Sequence, residues 1–195
     1  VTPTGYIDNA LSLVESGQAT VVSFGDMLKV PGSAGHALSH HLGSGRVRML
    51  YSPTELPVIA ESVSGPVVFL GIGFETTIPT LASVFLRLAQ RGRLYLYSAF
   101  KTVMPALRSL LASPDLGIDA FLLPGHVSAI IGTRAYAELE GPGGVPSVVA
   151  GFEPVDMLYA LLLVLRQLAR GERRVQNAYP RAVRPEGNPR AWALV

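Results

Sequence analysis

Val67-Val68-Phe69-Leu70-Gly71-Ile72, running on into Gly73-Phe74-Glu75-Thr76-Thr77 and then into the helical pattern that starts at Pro79, decides the fold. The first six residues are apolar without alternation, which is how a strand buried on both faces of a parallel sheet reads. A glycine-rich turn with polar side chains follows, and then a helix. Similar apolar runs recur at Thr20 to Phe24, Val47 to Tyr51, Leu94 to Ser98, Ala120 to Leu123 and Ser147 to Ala150. Between them lie helical patterns over Tyr6 to Ser16, Ala34 to Leu42, Pro53 to Ser62, Pro79 to Arg91, Met104 to Ala112, Ile130 to Leu139 and Val155 to Leu168. Strand and helix alternate throughout, so the fold class is α/β with parallel sheets.

The element boundaries carry chemical punctuation. Ser52-Pro53-Thr54-Glu55 reads as a capping box with proline at the first helical position. Gly17, Gly43 and Gly92 follow helical runs and suit the left-handed residue that ends a helix. Ser62-Val63-Ser64-Gly65-Pro66 reads as a break, giving an expected division into 1–64, the second half of an α/β lobe, and 65–170, a second α/β lobe. Two strands are too few for a stable parallel sheet, so the first lobe is expected to be incomplete and to expose an edge at Thr20 to Phe24 or Val47 to Tyr51, open to self-association. A start at Val1 with no leader-like segment also reads as a chain cut from something longer.

Composition excludes several classes. Nearly half of the 195 residues are hydrophobic and 15% are charged, which fits a globular interior rather than a disordered chain. The longest apolar stretch, Met157 to Leu165, is too short to span a bilayer, so no membrane role is expected. Six arginines against Glu172 and Glu186 give residues 170–195 a net charge of +4 (6 − 2), while the rest of the chain is acidic. Residues 171–195 therefore read as a basic connector, and the body lacks the basic face that nucleic-acid binding needs. No cysteine is present, which excludes a thiolate metal site or disulfide within these residues.

Ligands of open parallel sheets bind beyond the carboxyl ends of the strands, and the unusual residues of this chain fall there. They lie in Phe24-Gly25-Asp26-Met27-Leu28-Lys29-Val30-Pro31-Gly32-Ser33, in Gly73 to Thr77, in Ser98 to Thr102 and in Pro124-Gly125-His126-Val127-Ser128. Two sheets presenting these loops would face one cleft. The only two lysines, Lys29 and Lys101, both sit in these loops, placed either to meet an anionic ligand or carboxylate or simply as solvated charges. His126 suits ligand binding or proton relay, or else capping of the next helix, and Glu75 suits an acid, base or ligand anchor as well as a cap. His36 and His40 lie four apart beside His41, but no third ligand stands at a suitable spacing, so they read as a helix surface. Gly71-x-Gly73 lacks the third glycine of a dinucleotide loop, and no Gly-x-Ser-x-Gly elbow occurs.

Three of these blocks in this order, Phe24-Gly25-Asp26-Met27 with Val30-Pro31-Gly32-Ser33, Gly73-Phe74-Glu75-Thr76-Thr77, and Pro124-Gly125-His126-Val127-Ser128, resemble the motifs of the HypD family. Tyr51-Ser52-Pro53, Ile131-Gly132-Thr133-Arg134, Val149 to Pro154 and Glu186-Gly187-Asn188-Pro189 extend the resemblance over essentially the whole chain. It implies two Rossmann-like α/β lobes facing a cleft, a cytoplasmic protein, and a scaffold that holds iron while cyanide and carbon monoxide are attached, with HypC- and HypE-type proteins as partners. Asp26, Lys29, Gly32, Ser33, Phe74, Glu75, Thr76, Thr77, Lys101, Gly125, His126 and Ser128 are then expected around the iron ligands. The family usually has arginine at Lys29. Its cysteine motifs, among them those of a [4Fe-4S] cluster, fall outside the matched stretch, so no metal ligand is expected in this chain. The alternative is a small-molecule enzyme using the same loops, with His126 or Glu75 as general base.

Overall fold

The computed structural model describes residues 2–88, 92–113, 115 and 117–195. Every strand pairing in it is parallel. The chain divides into two compact units, residues 1–73 with 80–101, and residues 74–79 with 102–195.

The first unit is built on a four-stranded sheet in the order β2-β1-β3-β4. Its strands are β1 (Thr20–Phe24), β2 (Val47–Leu50), β3 (Val67–Gly71) and β4 (Leu94–Ser98). Helix α1 (Thr4–Glu15) covers one face, where Ile7, Leu11 and Val14 pack with Val21, Leu28, Leu38, Val47 and Leu70. Helices α2 (Leu56–Ser62) and α3 (Ile78–Leu88) supply Leu56, Leu81 and Val84 to the other, against Val22, Leu50, Val67 and Phe69. Val21 and Val22, like Phe69 and Leu70, thus face opposite cores, which is why these strands read as continuous apolar runs. Burying one such side chain contributes about 1.5–3 kcal/mol.

The division at 62–66 is corrected here. Val67–Gly71 pairs with β1 through Thr20 to Val22, and β4 follows as its neighbour, so both strands belong to the first sheet. Gly65, at φ +88°, turns the chain from α2 into β3 rather than linking domains. Of the two strands expected to expose an edge, Val47–Leu50 is one and Thr20–Phe24 is central. The helix expected at Ala34 to Leu42 is a 3₁₀ segment, Leu38–Ser44, ended by Gly45 in the left-handed conformation. The Ser52 capping box forms as read: the Ser52 N–H donates to Glu55 and Ser52 Oγ accepts from the Thr54 N–H.

The second unit holds a three-stranded sheet in the order β5-β6-β7, from β5 (Phe121–Pro124), β6 (Ser147–Ala150) and β7 (Val175–Asn177). Helices α4 (Val103–Leu111) and α5 (Gly125–Ile131) line one face with Met104, Leu107, Val127 and Ile131 around Leu123 and Val149. Helix α6 (Pro154–Arg170) lays Ala160 and Val164 on Val148 and Ala150 at the other.

Residues 171–195 are no separate connector. Val175–Asn177 completes the sheet, Tyr179 and Val183 are buried in its core, and α7 (Pro189–Trp192) follows. Charge counting misreads this stretch because its backbone, not its arginine side chains, makes the attachment. The Thr133 and Arg134 N–H groups donate to the carbonyls of Arg184 and Pro185, and the Asn188 N–H donates to that of Ile130. Two glycines permit this approach: a Cβ on Gly132 would strike the Pro185 carbonyl oxygen, and one on Gly187 that of Ile130. Gly132, at φ 78° and ψ 166°, also breaks the helix expected over Ile130 to Leu139 into α5 and a 3₁₀ segment, Thr133–Leu139.

Gly132→Ala should therefore cost about 2 kcal/mol or more, since it combines a glycine-only backbone conformation with a backbone collision. Gly171→Ala, where φ is +64° but no atom lies near the new methyl, should lose about 1 kcal/mol. Urea unfolding of both variants measures the difference; equal losses would show that attachment of residues 184–188 does not depend on close backbone approach.

Candidate functional site

In the first unit the loop after β1 is held from both ends. The Met27 N–H donates to Asp26 Oδ1 at 2.9 Å, so Asp26 starts the 3₁₀ turn Met27–Lys29. The Ser33 N–H donates to Asp8 Oδ1 at 2.8 Å and its hydroxyl to Asp8 Oδ2 at 2.6 Å. Both bonds hold the Asp8 carboxyl below its ordinary pKa, the hydroxyl contributing more. Gly32 is buried against the same carboxylate, and a Cβ there would collide with Asp8 Oδ1. Sequence reasoning missed Asp8, because nothing marks a lone aspartate on a helix 25 residues away as the partner of a loop serine.

Lys29 and Lys101 are both exposed. Lys101 Nζ lies over the Tyr6 ring, 5.8 Å from its centroid, and Tyr6 in turn packs on Tyr97, whose hydroxyl accepts from Asn9. His36 and His40 meet edge to face, and His40 Nδ1 accepts the Ala37 N–H. No group of three or more His, Cys, Asp or Glu side chains among the described residues is placed to hold a metal.

In the second unit the loop at 74–77 carries a buried carboxylate. Glu75 is 1% exposed, and its Oε1 accepts the Val103 N–H, the first of α4, at 2.7 Å. The helix end favours a negative charge there. Oε2 is shut from solvent and has no hydrogen-bond partner. Leaving a buried acceptor unpaired costs free energy. Around it Phe74 and Thr76 are exposed, and Thr77 is half-buried and donates its N–H to the Phe74 carbonyl.

The loop after β5 splits its candidates. Ser128 is fully buried and donates to the Pro124 carbonyl at 2.8 Å. Its single proton is thereby committed, so the Tyr136 hydroxyl, 2.9 Å away, donates to Ser128 Oγ. Ser128 thus points into the core and not to the loop surface. Tyr136 is itself fully buried, and its phenol is pushed up to about 12, first by burial; the Ser128 bond opposes this and the charge of Glu75 adds to it. Gly125 is required because a Cβ there would strike the Ala150 carbonyl oxygen. His126 is exposed and packs at a tilt against Phe152, ring centroids 4.5 Å apart.

Beside Phe152 stands a cluster the sequence did not announce. Arg181 grips both oxygens of Asp156, at 2.7 Å through Nη1, and reaches Glu153 Oε2 at 3.0 Å, while its guanidinium lies over the Tyr179 ring. Asp156 is buried and its carboxyl is held below the ordinary value by the Arg181 hydrogen bonds; Arg181 is raised in turn. The only sequence sign was an aspartate one turn into a helix whose other inward positions are mostly small or apolar.

Comparison with known proteins bears on all of these loops. The family model described as "HypD: Hydrogenase formation hypA family" matches residues 1–195. The chain belongs to the HypD family. It is 40% identical over 191 residues to the hydrogenase maturation factor HypD of Escherichia coli (strain K12), covering 96% of this chain and 51% of that protein. It is 43% identical over 204 residues to the hydrogenase expression/formation protein HupD of Azotobacter chroococcum mcd 1, covering all of this chain and 54% of the relative. The corresponding putative hydrogenase expression/formation protein of Methanocaldococcus jannaschii is 36% identical over 198 residues, covering all of this chain and 55% of its own length. The chain thus spans about half the length of these HypD relatives.

Two outcomes follow from this geometry. Ser128→Ala leaves the Tyr136 hydroxyl buried without an acceptor and should cost about 1–3 kcal/mol, whereas Tyr136→Phe leaves Ser128 bonded to Pro124 and its hydrogen-bond loss should cost about 0.5–1.5 kcal/mol. Denaturant midpoints of the two variants rank them; the reverse order would contradict the assigned donor direction. Asp156→Asn should destabilise at neutral pH. A carboxyl depressed below its unfolded value of 3.8 adds stability above that pH and loses it as pH falls through the folded value, so wild type and variant should converge in stability in acid below 3.8. A constant difference between them down to that range would exclude the ion pair as its source.

Proposed function

We propose that this chain is the α/β scaffold of a hydrogenase maturation factor, on which the Fe(CN)₂CO group of nickel-iron hydrogenases is assembled with HypC- and HypE-type proteins. The reading is supported by membership of the HypD family over residues 1–195 and by relatives named as hydrogenase maturation or formation proteins. Iron is cargo here. The carried observation is Glu75, a carboxylate 1% exposed with one oxygen bonded to α4 and the other unpaired. An unpaired buried carboxyl oxygen is a cost that function explains better than stability does.

The chemistry of the cargo fits the loops. A cyanide nitrogen on iron is a hydrogen-bond acceptor, so it needs donors, and Thr76, Lys101 and His126 are exposed donors at strand ends. Asp26, Lys29, Ser33 and Thr77 belong to the same or equivalent loops and are proposed to hold ligands or partners there, with Gly32 and Gly125 allowing close packing and Phe74 giving an apolar surface. Glu75 fixes the backbone of loop 74–77 through Oε1, and Oε2 is proposed to accept from a group that arrives with cargo or partner. Such contacts orient ligands without binding the metal. A [4Fe-4S] cluster does not fit the residues present, since the chain contains no cysteine, and no step is drawn through one. The described contact of His126 is with an aromatic ring rather than an acid or base, which gives the small-molecule enzyme no specific support. No described helix is long and apolar enough to cross a membrane.

Glu75→Gln tests the reading, because the amide still accepts the Val103 N–H while its other end becomes a donor. In the intact maturation factor bearing these residues, co-expressed with HypC- and HypE-type proteins, circular dichroism should stay unchanged. The infrared bands of iron-bound cyanide and carbon monoxide should fall at least about tenfold, the loss of roughly one charged hydrogen bond. Bands at full intensity would reduce Glu75 to a loop clamp and remove the observation on which the proposal stands.

A further inference from the structure

A short turn after β7 ties together the carboxyl ends of all three strands in the second sheet. Asn177 closes it: Oδ1 accepts the Tyr179 N–H at 2.9 Å, and Nδ2 donates to the Val183 carbonyl at 2.8 Å. Tyr179 is thereby buried, while Arg181 stays on the rim. The Tyr179 ring lies against the ends of both neighbouring strands. A Cβ on Gly125 would come within 2.9 Å of one edge of the ring, and a Cβ on Gly151 within 2.8 Å of the other. His126 and Phe152 are the residues that follow these two glycines, and their rings meet with centroids 4.5 Å apart at a tilt of 42°. The exposed pair therefore stands on Tyr179.

Arg181 fixes what surrounds Phe152. Its guanidinium carbon lies 4.5 Å from the Tyr179 ring centroid, Nη1 and Nη2 hold the two Asp156 oxygens at 2.7 and 2.5 Å, and Nη2 also reaches Glu153 Oε2 at 3.0 Å. Asp156 in turn presses on Gly151, where a Cβ would strike Oδ2. One guanidinium thus holds Glu153 directly and Gly151 through Asp156, the residues on either side of Phe152. Phe152 is 60% exposed, so burial does little to fix its ring, and the backbone beneath it decides where the ring stands. The rigid fork of an arginine suits that task because it sets direction as well as charge. The contact of Glu153 with Arg181 joins two exposed side chains and contributes little to stability, which leaves orientation as its use.

We infer that Arg181 is a positioning residue: through Tyr179, Asp156 and Glu153 it holds loop 151–153 so that Phe152 orients the His126 imidazole as a hydrogen-bond donor to the bound ligand. The ligand in this statement rests on the assembly reading; the geometry does not. Nuclear magnetic resonance of the 195-residue chain tests the geometry, since it has four histidines and His126→Gln assigns the fourth. Phe152→Leu removes a ring current and should move the His126 imidazole signals. Arg181→Lys keeps the charge but loses the fork, and should move them in the same direction with circular dichroism unchanged and with His36, His40 and His41 unmoved. Glu153→Ala, at a 61% exposed side chain, makes the same test without touching the core. In the intact maturation factor, co-expressed with HypC- and HypE-type proteins, Arg181→Lys and Phe152→Leu should each lower the infrared bands of iron-bound cyanide and carbon monoxide by at least about tenfold. His126 signals that respond to Phe152→Leu but to neither Arg181→Lys nor Glu153→Ala overturn the inference. So do bands at full intensity in a variant whose His126 signals have moved, a result that leaves the assembly reading standing. Absence of the bands from the wild-type factor removes that reading, and the positioning role with it.

Discussion

Parallel pairing is the constraint from which the rest follows. A parallel neighbour cannot be reached by a tight turn, so the chain must leave each strand, cross a face of the sheet and return to the same end. In both units that crossing segment brings apolar side chains to the sheet, α2 and α3 in the first and α5 and α6 in the second. The same geometry sends the carboxyl end of every strand in a sheet to one edge. Asp26, Lys101 and the Gly73 carbonyl gather at such an edge of the first sheet; Gly125, His126, Phe152 and Tyr179 gather at that of the second. Chemistry collects at these edges because the connection rule leaves it nowhere else in the sheet to go.

Three buried polar arrangements show different solutions to the same cost. Ser128 and Tyr136 satisfy each other and a carbonyl, with no net charge involved. Asp156 is buried as a charge but receives a bidentate guanidinium, so its neutralisation is local. Glu75 receives one backbone N–H and a helix end, and half of its acceptor capacity is left over. The first two arrangements close on themselves. The third remains open, and that difference sets Glu75 apart from the other two more clearly than burial alone.

Strand and helix positions were legible because apolar runs and caps are local signals. Thr20–Phe24, Leu94–Ser98 and Ser147–Ala150 stand where the pattern put them. Sheet membership was not legible, because Gly65-Pro66 looks the same whether it turns a chain or separates two domains. Nor was β7: Val175-Gln176-Asn177 has one apolar residue, and only its place beside β6 makes it a strand. The site loops were legible as unusual, and family motifs marked them. Which side chains in them face inward was not, since Ser128 and His126 are two residues apart in sequence and differ only in where α5 rotates them. Partners such as Asp8 and Arg181 lie 25 residues from the groups they hold, and no spacing rule reaches that far.

The interleaved division of the chain sets an order on its completion during synthesis. Every residue of the first unit has been made once residue 101 is joined, and domains close from the amino end as they emerge. Residues 74–79 are by then already exposed, but they belong to a unit whose remaining members, 102–195, do not yet exist. Glu75 therefore waits as a hydrated carboxylate until Val103 arrives, and the sheet beneath the second core waits longer still for residues 175–177. For that interval a carboxylate that ends up 1% exposed is open to whatever the cell offers it.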